Sequence, residues 1–137
     1  MSFNLDALER PVKPVRVGKA YKGSPDESDI QRDIIKALAK MGLWAIHVPN
    51  EGQLSGNQLA RYKQAAVLRA NGLTRGALDL IVMASGGRVG WLEVKKPGGV
   101  LKPAQIGFMA RLDRLAIPCA AVCSVEDAVE AVRGWWG

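Results

Sequence analysis

Apolar residues recur at Ile30, Ile34, Ile35 and Leu38 within "SPDESDIQRDIIKALAKMG", the spacing of a helix with one buried face. Ser24 as N-cap, Pro25 at the first helical position and Glu27 closing a capping box predict its start, and Gly42 its stop. "LWAIHVP" predicts a strand and "NEGQLSG" a loop. "NQLARYKQAAVLRANG" then combines good helix formers with an Asn71-Gly72 stop. The runs "ALDLIVMA" and "VGWLEVK" flank "SGGR" and predict a β-hairpin. Pro103 opens a helix carrying Ile106, Met109, Leu112 and Leu115. "CAAVC" reads as a last strand, and Ser124 caps a final helix to about Arg133. This order predicts a mixed-sheet α/β domain over residues 24–137. Residues 1–23 hold prolines, glycines and five cations from Arg10 to Lys22 without any period, which predicts a flexible basic arm.

Composition adds a bias. The 137 residues suffice for one core without disulfides or a structural metal, and the net charge of +6 with a pI near 9.6 favours a polyanionic partner, most commonly nucleic acid. Cys119 and Cys123 share a strand-like run, so their Cα atoms should lie roughly 13 Å apart, too far for a disulfide. They read as small buried apolar residues in a reducing compartment. The first residues lack the basic-then-apolar order of a signal peptide, and no apolar run reaches the length of a membrane span. A cytoplasmic protein without membrane contact is the expectation.

The chemistry gathers in "WLEVKKPGG". Side chains two apart on a strand share a face, so Glu93 and Lys95 point one way while Leu92 and Val94 point the other. A hairpin turn centred between Gly86 and Gly87 gives opposed residues numbers summing to about 173, which brings Asp79 near Glu93 to Lys95. Two acids this close repel unless positive charge separates them. Lys95 alone gives a partly buried ion-pair cluster of no chemical use. A divalent cation such as Mg²⁺, held by Asp79 and Glu93 with water and a substrate phosphate, is the other reading. Glu27 and Gln105 each open a helix stripe that faces the core, although a capping-box glutamate or a boundary glutamine needs no further role. His47, the single histidine, reads as a structural or surface residue outside the catalytic set. Trp135 and Trp136 close the core or meet a second subunit.

Taken in order, "ESDIQ", "GALDL", "WLEVKK" and "LKPAQ" resemble the VRR-NUC nucleases of the PD-(D/E)XK superfamily over about residues 26–123. The resemblance implies a restriction-endonuclease-like mixed central sheet flanked by helices, and Mg²⁺- or Mn²⁺-dependent hydrolysis of DNA phosphodiester bonds leaving a 5′-phosphate. It implies Asp79, Glu93 and the Val94 carbonyl as metal ligands, with Glu27 ligating directly or through water. Lys95 would orient and polarise the attacking water, and Gln105 would steady that lysine or the phosphate. Many members carry proline before the aspartate where this chain has Leu78, a difference of backbone shape and not of chemistry. Stand-alone members look like viral or bacterial replication and repair nucleases. The small ones are similar to homodimers that cut branched DNA such as Holliday junctions. Arg61, Lys63, Arg69 and Arg75 before the site, and Lys96 and Lys102 after it, are candidate DNA-binding residues. A DNA-binding module that keeps the fold without catalysis is the alternative. The intact set Glu27, Asp79, Glu93 and Lys95 favours the enzyme, because a binding domain has no need of acids facing a polyanion.

Overall fold

A computed structural model describes residues 13–49, 56–72 and 74–137. In chain order the elements are β1 (Val15–Val17), α1 (Glu27–Lys40), β2 (Trp44–His47), α2 (Gln58–Ala70), β3 (Leu80–Ala84), β4 (Arg88–Val94), β5 (Gly99–Leu101), α3 (Pro103–Arg114), β6 (Cys119–Val122) and α4 (Val125–Trp136). The central sheet has the order β2-β3-β4-β6, with the first two pairings antiparallel and β4 parallel to β6. A parallel return needs a crossover, and α3 lies within it. The expected mixed α/β class is therefore observed. No helix among the described residues is long and apolar enough to cross a membrane.

The two-residue period of the strands separates the faces of the sheet. Ala45, Leu80, Val82, Leu92, Val94 and Val122 form one core with Ile30, Ile34 and Leu38 of α1 and Ala128 and Val132 of α4. Ile34, Leu38, Leu80, Val82 and Leu92 are completely buried. Each such side chain contributes about 1.5–3 kcal/mol through removal of apolar surface from water. On the opposite face Trp91 meets Phe108 of α3 edge-on, with ring centroids 5.1 Å apart. Leu78, standing where many VRR-NUC members have proline, is also fully buried.

Three expectations change. First, α1 begins at Glu27, and its N-cap is Asp26 in extended conformation, without a side-chain cap bond. The predicted box from Ser24 to Glu27 does not form, which frees the Glu27 carboxylate. The far end of the helix closes as predicted around Gly42, whose N–H and that of Leu43 reach the Ala39 and Leu38 carbonyls at 3.0 Å each.

Second, part of the expected basic arm is ordered. Val15–Val17 pairs antiparallel with Gly99–Leu101 as a separate two-stranded sheet, and Val17 is buried. Three residues paired to a distant strand leave no local period to read, which is why the segment resembled a tail. Residues 1–12 of the arm, Arg10 among them, and residues 50–55 of the predicted loop lie outside the described residues.

Third, the hairpin turn is one residue longer than expected. It occupies Ser85–Gly87, and the strands pair Leu80 with Leu92 and Ala84 with Arg88. Two glycines at positive φ, 79° and 74°, make this three-residue turn accessible.

The terminal tryptophans pack inward. Trp135 and Trp136 lie against the core, and a Cβ on Gly90 would come within 2.5 Å of the Trp135 ring. The Arg88 guanidinium lies 5.4 Å from the Trp136 ring centroid. Packing on the core, one of the two roles left open for this pair, is observed, and both rings keep part of their surface exposed. Both cysteines are free thiols. Burial pushes both up from the ordinary thiol value, Cys123 to about 11 with the help of the Asp127 carboxylate, which leaves them as poor nucleophiles.

Candidate active site

The hairpin register decides the site. Continuing the observed pairing by one step sets Asp79 opposite Glu93, so both carboxylates project from the α3 side of the sheet. Had the turn been one residue shorter, parity would have sent them to opposite faces. Asp79 is tied down directly, its Oδ2 accepting from the Val94 N–H at 2.8 Å. Its carbonyl accepts from the Val48 N–H at 2.8 Å, at the end of β2.

Glu93 is buried at 2% exposure, as are Lys95 at 8% and Gln105 at 7%. The Gln105 amide is orientated by its own helix: Oε1 accepts from the Lys102 N–H at 2.9 Å, at the start of α3. That leaves Nε2 to donate to Glu93 Oε1, also at 2.9 Å. Lys95 Nζ lies 3.7 Å from the same oxygen. Gln105 thus holds the glutamate, through the same oxygen that Lys95 approaches, a contact that the expected role toward the lysine or the phosphate did not include. Sequence placed Gln105 on the correct face of its helix but could not name its partner across the fold. Glu27 approaches from α1, its Oε1 accepting from the Lys96 N–H at 3.3 Å.

Glu93 Oε2 is buried and has no hydrogen-bond partner among the described residues. A buried carboxylate oxygen left unpaired is costly, and this one sits beside a second acid. Burial, the Asp79 charge and contact, and the Glu27 charge outweigh the opposing pull of Lys95 and raise the Glu93 carboxyl to about 8. Hence Glu93 would be largely protonated at neutral pH unless a positive charge joined the pair. The donors present are hard oxygens, which suit Mg²⁺ or Mn²⁺ with most remaining positions taken by water and phosphate. No group of three or more acidic, histidine or cysteine side chains among the described residues forms a ready-made metal cage. The fit therefore rests on the two carboxylates, Asp79 and Glu93, with Glu27 at one remove.

The proposed DNA-contacting residues are more dispersed. Arg61, Lys63 and Arg69 are exposed on α2, where Ala65 is the one buried residue. Arg61 Nε donates to the Gly56 carbonyl at 3.0 Å, so part of its donor capacity serves its own helix. Arg75 is exposed in a loop laid on α3, where a Cβ on Gly76 would fall 2.3 Å from the Ala104 backbone. The structure thereby brings Arg75 close to the turn that holds Gln105. Lys96 and Lys102 are exposed on either side of β5.

One contact escaped the sequence reading. His47 Nδ1 lies 3.2 Å from both Gln31 Nε2 and the Asp79 carbonyl. His47 therefore stands at the rim of the site, next to the backbone of a candidate ligand. Neither its spacing nor its neighbours in sequence announce this.

A mixed sheet flanked by helices, with paired acids, a lysine and a glutamine gathered at the end of its central hairpin, defines a nuclease-type α/β domain. The family model of the VRR-NUC domain matches residues 25–127, and the chain belongs to that family. A solved structure described as a VRR_NUC domain is similar in fold, with a TM-score of 0.57 and 17% sequence identity over 80% of this chain and 97% of the other. No curated protein matches the chain.

Proposed function

We propose that this protein is a Mg²⁺- or Mn²⁺-dependent DNA endonuclease whose ion is held by Asp79, Glu93 and the Val94 carbonyl. The observation that carries the reading is the unpaired, buried Glu93 Oε2 set opposite Asp79. When bound, the ion supplies Lewis-acid polarisation of a phosphate oxygen and acidifies a water. The protein's own groups do the rest. Gln105 fixes the Glu93 carboxylate, and the Val94 N–H fixes that of Asp79. The buried Lys95 ammonium brings positive charge to where negative charge grows on the phosphate, and it orients the attacking water. Glu27, held by the Lys96 N–H, supplies an acceptor from the helix side.

DNA as substrate is supported by membership of a nuclease-type family and by the net charge of +6. Selectivity for branched DNA, a role in replication or repair, and a homodimer belong to the same proposal. Paired cuts across a four-way junction need two sites at fixed separation, which a two-fold dimer provides. The contact is expected on apolar surface that stays open, such as the partly exposed terminal tryptophans or the edge strand β2, where Trp44 is 66% exposed. Incubating pure protein with four-way, flap and linear DNA, with and without Mg²⁺ or Mn²⁺, tests the reading. Metal-dependent cleavage with preference for the branched forms is the expected result. DNA binding without any cleavage would instead mark a non-catalytic binding module.

A further inference from the structure

The segment from Lys13 to Gly23 precedes the span shared with the family, yet it contacts the loop that leaves the site strand. Val17 pairs with Gly99 across the small sheet. The Gly98 N–H donates to the Val17 carbonyl at 2.7 Å, and Arg16 Nη1 donates to the Gly98 carbonyl at 3.2 Å. Gly98, at a φ of +83°, is wedged against the same segment: a Cβ there would lie 2.7 Å from Ala20. Its neighbour Gly99 faces the site side of the loop, where an added Cβ would lie 3.3 Å from Lys95 Cβ and 3.5 Å from Lys95 Cδ. Hydrogen bonds therefore tie Arg16 and Val17 to Gly98, and the next residue, Gly99, passes so close to the aliphatic stem of Lys95 that a side chain there would press on it. The segment also runs close against the end of β6 beyond the loop, since a Cβ on Gly18 would meet Cys123 Sγ at 2.7 Å. Cys123 is itself tied to α4 by its N–H bond to Asp127 Oδ2 at 3.0 Å.

A lysine has four rotatable bonds, and holding its ammonium in one place costs rotamer freedom. Packing its stem against a fixed backbone meets that cost before substrate arrives. Misplacing a charged group at a reacting centre by about 1 Å lowers rates by as much as ~100-fold. We propose that residues 15–20 form a strap that positions Lys95, with Arg16 and Val17 as positioning residues that do not touch substrate. The inference rests on the reading of Lys95 as the group facing the reacting phosphate.

The test uses the full chain and four variants: Arg16→Ala, Arg16→Lys, and deletions of residues 1–12 and 1–20. Two readouts are taken, the kcat and KM of DNA cleavage and the hydrogen exchange of the Gly98 amide. Arg16→Ala should lower kcat roughly three- to tenfold with KM changed less than about twofold, and should speed Gly98 exchange about fivefold. Arg16→Lys should recover part of both. Removing residues 1–12 should leave both unchanged, and removing 1–20 should lower kcat by more than about tenfold. Should the longer deletion fail to fold, Arg16→Ala decides. A change confined to KM would make Arg16 a phosphate contact and overturn the proposal, as would faster exchange with unchanged kcat. A wild-type chain that cuts no DNA overturns the nuclease reading. The strap is then judged on exchange alone, and unchanged Gly98 exchange in Arg16→Ala rejects it.

Discussion

The two faces of β4 differ more than any two elements of the molecule. Leu92 and Val94 turn into a dry core shared with α1 and α4. Glu93, between them in sequence, is equally buried on the other side but carries an unpaired carboxylate oxygen beside a second acid. The first face lowers the free energy of the fold by removing apolar surface from water. The second raises it, because burial and like charge both disfavour the ionised acid. A strand with a two-residue period can hold the two side by side, so the rigid core fixes the geometry of a pair of acids that is itself unfavourable.

The sharpest way to separate the faces is to change one residue on each. Glu93→Gln or Asp79→Asn is expected to lower cleavage by at least about 10³-fold while DNA binding persists or tightens, since a negative charge beside phosphate is lost. Gel-shift and cleavage assays on the same preparation check this, and turnover at the wild-type rate in either variant would reject the metal assignment. Leu92→Ala should do the reverse, costing about 2–5 kcal/mol in denaturant unfolding through a cavity in the shared core. The folded fraction of that variant should keep most of its cutting rate.

Next in size is the pH dependence of the metal-free protein. The Glu93 carboxyl moves from 4.5 to about 8 on folding, so the native state binds more protons than the unfolded state between those values. Its contribution to stability is full below about pH 4.5 and is lost as pH rises through about 8. The expected sign is a melting temperature that falls from pH 5 to pH 9 in chelator, with an effect on the order of a few kcal/mol. Glu93→Gln should flatten that slope, and an equal slope in both proteins would show that another group governs it.

Smaller again is the effect of Gln105→Ala, which removes the donor that holds Glu93 Oε1. A loss of roughly tenfold in kcat is expected, with the pH–rate profile shifted because the carboxyl loses a bond that favours its charged form. An unshifted profile would limit Gln105 to capping α3.

Sequence carried the class, the hairpin and the identity of the paired acids, because those features are local: alternation, a glycine-rich turn, and a charge set into an apolar strand. What it missed depended on distance. The turn needed one more residue than a two-glycine reading suggests, and only the pairing of Leu80 with Leu92 shows Asp79 directly opposite Glu93. Glu27 sits where a capping box is expected, yet its carboxylate bonds to Lys96, 69 residues away. The strand at Val15–Val17 was invisible because its partner lies after the site and three residues carry no period. Gln105 was read on the right helix face and expected to steady the lysine or the phosphate; its bond to Glu93 was not foreseen, since nothing in sequence chooses between two buried groups two residues apart.

The central claim is that Asp79 and Glu93 await a cation, and titration calorimetry with Mn²⁺ at pH 8 tests it without any substrate. Wild-type protein should bind Mn²⁺ with release of protons from Glu93, seen as a heat that varies with the buffer's ionisation enthalpy. Glu93→Gln should show neither the binding nor the buffer dependence. Equal Mn²⁺ binding by the two proteins would contradict the account.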